Sequence, residues 1–143
     1  IVGDGPDRTR YENYARKLRI SNAHFYGVVP DDVLKQMYLS SDVLALPSVS
    51  LNEAFGLVTL EAAASGCAVV ASDLLGLRDT VKEFGILVKP NNPHKLRDAL
   101  LSLRDETVRK KFVTEGRRVA KKHNWRKVAE EYDKIYTEVI SGV

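Results

Sequence analysis

The chain has 143 residues, of which 44% are hydrophobic and 29% charged, with a formal net charge of +3. That length suits one domain with a sizeable core, and the composition is ordinary for a soluble globular protein. No apolar run approaches the roughly 18–20 residues needed to span a bilayer, and the opening "IVGDGPDRTR" has neither the basic nor the apolar part of a signal peptide.

Short β-rich apolar runs alternate with helical patterns along the chain. Strands are expected at 1–2, 24–29, 43–46, 68–72 and 85–88, and helices at 6–18, 30–41, 56–65 and 75–82. Strands separated by helices of this length predict an α/β fold, a Rossmann-like doubly wound parallel sheet. "VVAS" and "VLALP" lack polar alternation, as strands covered on both faces do. Pro30-Asp31-Asp32 and Pro93 supply helix starts, the acids favouring the positive end of the dipole. After Leu103 the strands stop, and 105–122 and 125–140 read as two further helices. In the last of them Trp125, Val128, Tyr132, Ile135, Tyr136 and Val139 form one apolar stripe at helical period. The expected organisation is a single domain over 1–143, with a βα core at 1–104 and C-terminal helices at 105–143. "IVGDGP" reads as the tail of a strand, as though something precedes it.

Several constellations are weak. "GDGP" carries Arg8 where the third glycine of a dinucleotide fingerprint belongs, which favours a structural turn. The three histidines, His24, His94 and His123, stand apart from one another and from Cys67, so no metal site is expected. Cys67, the single cysteine, excludes an internal disulfide and reads as a small buried hydrophobe. Ten basic residues lie between Arg104 and Lys127 with three acids among them. Solvated helix faces are the plain account of that segment. A cytoplasmic location is expected, and peripheral contact with an anionic surface at the cytoplasmic membrane face stays open. No aromatic interleaving suggests nucleic acid.

The strongest candidate is "NEAFGLVTLEAAASG" at 52–66. Gly56 at a helix start exposes backbone N–H groups at the positive end of the dipole, an anion site suited to a pyrophosphate. It follows a strand, on the side of an open α/β sheet where ligands bind. Glu53 precedes the helix, and Glu61 lies about 1.4 turns beyond Gly56. A carboxylate there can accept two hydrogen bonds from vicinal hydroxyls such as those of a ribose. From pattern alone an ordinary reading stands beside this one: Glu53 as a dipole-favoured acid and Glu61 as an exposed helix residue.

The block from Glu53 to Gly66 strongly resembles the E-x7-E signature of retaining, family 4 nucleotide-sugar glycosyltransferases. "VGDGP", "FYGVVP", "MYLSSDVLALPS", "GLRDTV", "FGILVKP" and "HNWRKVAEEYDKIY" follow in the family's order over nearly the whole chain. The resemblance implies the C-terminal, donor-binding domain of a GT-B enzyme, whose donor is a nucleotide-diphosphate sugar. It implies a catalytic Glu53 that contacts the donor sugar, and Ala54, Phe55, Gly56 and Leu57 around sugar and diphosphate. Glu61 would hold the ribose, with Gly27 and Ser48 lining the nucleotide region. No metal and no cofactor are implied. The basic pair that holds the diphosphate and the acceptor-binding N-terminal domain would both lie upstream of Ile1. Leu75 stands where the family usually has the first glycine of a pair, and Ala68 where proline is common. In the 3-2-1-4-5-6 strand order a further strand would sit between those at 1–2 and 43–46. Upstream residues, direct pairing of those two strands, or another chain are the alternatives. The competing functional reading is a catalytically silent Rossmann-like assembly module.

Overall fold

The computed structural model describes residues 1–50 and 55–142. The chain divides into two compact units, Ile1–Met37 and Tyr38–Val143.

In the first unit, α1 (Arg8–Lys17) follows the glycine-rich turn and ends with Arg16 and Lys17 in its last turn, which suits the dipole. The two strands expected at 1–2 and 24–29 reduce to a single parallel bridge, Val2 with Gly27. Hydrogen bonds from Ile1 N to His24 O at 2.7 Å, Tyr26 N–H to Ile1 O at 2.9 Å and Gly3 N–H to Gly27 O at 2.7 Å join the segments. Gly27 adopts φ +69°, a left-handed conformation that ends the extended run, so no ladder forms beyond it. His24, expected to open a strand, is exposed in irregular chain. Next comes α2 (Asp31–Leu39), with Asp31 and Asp32 in its first turn.

The second unit holds the sheet. Strands β1 (Val43–Leu46), β2 (Ala68–Ser72) and β3 (Gly85–Val88) are parallel in the order β1-β2-β3. Val43 pairs with Ala68, and Val69 with Gly85. Helix α3 (Leu57–Ser65) connects β1 to β2, and α4 (Leu75–Val81) connects β2 to β3. Every residue of β2 is buried, because both of its faces are covered. Val69 and Ala71 face a cluster with Leu60 and Ala63 of α3, Leu77 and Val81 of α4, and Phe84. Ala68 and Val70 face the opposite way, against Val88, Ala99 and Leu103. This two-sided covering of a parallel sheet is the expected α/β fold.

Beyond β3 lie α5 (Pro93–Ser102), α6 (Glu106–Ala120) and α7 (Trp125–Ser141). Each begins on a side-chain cap: Asn92 accepts from Lys95 N–H, Asp105 from Thr107 and Val108, and Asn124 from Lys127. Helix α6 approaches α3 closely enough that a Cβ on Gly116 would lie 3.1 Å from Ala63 Cβ. The small residues of "AAASG" therefore serve a helix–helix contact as well as the sheet. No residue of α7 is buried, and the expected stripe stays largely in solvent, with Trp125 75% and Ile140 85% exposed. In the basic segment, Lys110 pairs with Glu106, Arg118 with Glu115 and Glu83, Arg109 with Asp42, and Arg126 with Glu130. Among the described residues no helix is long and apolar enough to cross a membrane.

Candidate functional site

The site is organised by the start of α3. Gly56 is its N-cap, buried, at φ +72° and ψ 48°. An added Cβ there would strike Leu77, so both conformation and space require glycine. Thr59 stabilises the turn, its N–H and its hydroxyl both donating to Gly56 O, at 2.8 and 2.7 Å. Gly56 offers no side-chain cap to the helix, so among the described residues the N–H groups of Leu57 and Val58 stand without a side-chain cap at the positive end of the dipole, while that of Thr59 is turned onto Gly56 O.

The flanking residues are fixed from α4. Thr80 Oγ1 donates to Phe55 O at 2.9 Å, tying the approach to α3 onto the next helix. The side chains of Phe55 and Leu57 are 45% and 49% exposed, although they border a buried turn. Glu61 lies four residues after Leu57 on the same helix and is exposed to solvent. Phe55, Gly56 and Leu57 thus stand at the start of α3, with Glu61 about one turn further along the helix, on the face of Leu57. Ser48, half-buried, follows β1 two residues past its end. Gly27 belongs to the first unit, where the Arg8 guanidinium crowds its Cα face. Glu53 and Ala54 lie outside the described residues.

Sequence reasoning missed Tyr38. Its hydroxyl donates to Glu61 Oε2 at 3.3 Å. Burial, and next the Glu61 carboxylate, push the Tyr38 phenol up to about 12, so it stays a hydrogen-bond donor across the physiological range. No local pattern announces this pair, since 23 residues separate its members. A cavity of about 270 Å³ was also unforeseen. Its walls include Pro47, Ser72 and Val88, which stand at the C-terminal ends of the three strands, together with Lys89. At the end of β2, Arg78 Nε donates to Asp73 at 2.6 Å, which holds that carboxyl below the usual range. Leu75, at the altered glycine position, is the first residue of α4 and is 68% exposed. Cys67 is 1% exposed, as a small core residue should be.

Comparison with known proteins adds the family. The family described as glycosyl transferases group 1 matches residues 1–119. A phosphatidyl-myo-inositol mannosyltransferase of Mycobacterium leprae is 34% identical over 145 aligned positions, covering 99% of this chain and 38% of that protein. The chain spans a little over a third of the length of the curated relatives it matches, 36% and 38% for the first two. A sucrose-phosphate synthase from Thermosynechococcus elongatus superposes with a TM-score of 0.86 at 28% identity, covering 99% of this chain and 38% of that one. A protein from Anabaena in complex with UDP and glucose gives a TM-score of 0.79 at 22% identity, covering 93% and 39%, a likeness of fold alone.

Proposed function

The chain belongs to the glycosyl transferases group 1 family, and on that premise we propose that it is the donor-binding domain of a retaining hexosyltransferase. The donor is a nucleotide-diphosphate sugar, and the acceptor is bound by residues outside 1–143. The observation that carries this reading is the uncapped, glycine-started N-terminus of α3 with Glu61 on the same helix.

Each part then has a task. The first-turn N–H groups of α3 offset charge on the diphosphate as it departs, because fixed dipoles need not reorganise when that charge develops. Glu61 accepts hydrogen bonds from the ribose diol. Glu53 contacts the donor sugar, with the backbone from Ala54 to Leu57 beside it and Ser48 and Gly27 toward the nucleotide. No metal or cofactor has a task in this scheme. The mannosyltransferase relative supports a sugar donor, and the UDP-bound neighbour shows that a protein of this fold can hold a uridine nucleotide.

Calorimetric titration of the chain with UDP-, GDP- and ADP-sugars tests the proposal. One of these donors is expected to bind, weakly, with an affinity that EDTA leaves unchanged. No transfer by the chain alone is expected. Failure of all three to bind would overturn the reading in favour of a silent assembly module.

A further inference from the structure

Tyr38 ends the path from α2 into the sheet unit, and it is held at two points. Its backbone carbonyl accepts from the Cys67 thiol at 3.1 Å, and Cys67 itself is 1% exposed at the entry to β2. Its ring packs, partly buried, against the core cluster that contains Leu60 and Ala63. The hydroxyl at the end of this fixed ring reaches Glu61 Oε2 at 3.3 Å. Glu61 by contrast is an exposed glutamate, a side chain with rotamer freedom to lose on being ordered.

We infer that Tyr38 is a positioning residue for the nucleotide site: its hydroxyl sets the Glu61 carboxylate for the ribose diol of a nucleoside diphosphate. This rests on the reading of Glu61 given above and deepens it. An ionised carboxylate offers about four acceptor positions. Tyr38 occupies one of them and leaves room for both hydroxyls of a diol. A neutral donor orients the group without cancelling the charge that strengthens those hydrogen bonds. Part of the ordering cost is thereby met before the ligand arrives, which is preorganisation. The 3.3 Å separation is long for O–H···O⁻, so the contact has room to tighten when the ligand binds.

The test is calorimetric titration of the chain with UDP and GDP and with their 2′-deoxy counterparts, for wild type, Tyr38→Phe, Glu61→Ala and the double variant. Phenylalanine keeps the ring and its packing, and a thermal melt checks that the fold survives. Wild type should prefer the ribonucleotide. Tyr38→Phe should weaken the ribonucleotide about three- to tenfold, the scale of one hydrogen bond, and leave the 2′-deoxy form nearly unchanged. In the Glu61→Ala background Tyr38→Phe should add nothing. A merely structural tyrosine would weaken both nucleotides equally. That result, or no effect of Tyr38→Phe while Glu61→Ala abolishes the preference, would overturn the positioning role and spare the ribose role of Glu61. A preference that survives Glu61→Ala, or no binding of any of the four nucleotides, would overturn the Glu61 reading and the role of Tyr38 with it.

Discussion

Gly56 shows how a single backbone conformation can hold a site open. With φ at +72° and Leu77 where a Cβ would go, Gly56→Ala meets both a left-handed penalty and a clash. The substitution should destabilise the chain by about 2 kcal/mol or more, visible as a lower midpoint in urea unfolding. Tyr38 makes a prediction in pH. Its phenol is raised from 10.0 to about 12 in the folded chain, so the neutral form is favoured by folding. The stability this supplies is fully present below pH 10 and is lost as pH rises through about 12. Urea midpoints measured from pH 9 to 12 should fall in wild type, and fall less steeply in Tyr38→Phe. The carboxylate of Glu61 was legible in the sequence, because an acid in an alanine-rich helix stands out. Its tyrosine partner was not, because the contact is tertiary, made by Tyr38 across 23 residues of sequence.

At the level of elements, helix starts were the most legible feature, since proline and capping residues act locally. Pro93 opens α5, and Asp105 sits one residue before α6 with its carboxylate on the N–H groups of Thr107 and Val108. Asp105→Ala should cost about 1 kcal/mol and lower Tm by about 3–5 °C, read by calorimetry. The α3–α6 contact is sharper still. Gly116→Leu would push a branched side chain against Ala63. The gain in helix propensity, up to about 1 kcal/mol, should be outweighed by an overpacking cost of about 1–3 kcal/mol, giving a net loss in the same assay. The strands at 43–46, 68–72 and 85–88 were readable as unbroken apolar runs; burial on both faces accounts for this in β2, all of whose residues are buried, while β1 and β3 are mostly half-buried. The strand expected at 24–29 did not form, because Gly27 turns left-handed within it. Periodicity gave α7 its stripe but says nothing of what covers an apolar face.

At the level of the whole molecule, fold and family agree while the chain accounts for 36% and 38% of the length of the first two relatives. Open parallel sheets bind ligands beyond the carboxyl ends of their strands, which agrees with the site we propose, past the end of β1 and at the start of α3. Chemistry at that end is then decided by few groups, of which Glu61 is the one whose role the account can be held to. The most direct measurement is the affinity of the best-binding nucleotide-diphosphate sugar for wild type and for Glu61→Ala. Loss of two hydrogen bonds to a charged acceptor predicts at least about a tenfold weakening, with the fold retained and stability lowered by no more than about 1 kcal/mol for the lost Tyr38 contact. Unchanged affinity in Glu61→Ala would contradict the ribose-binding role.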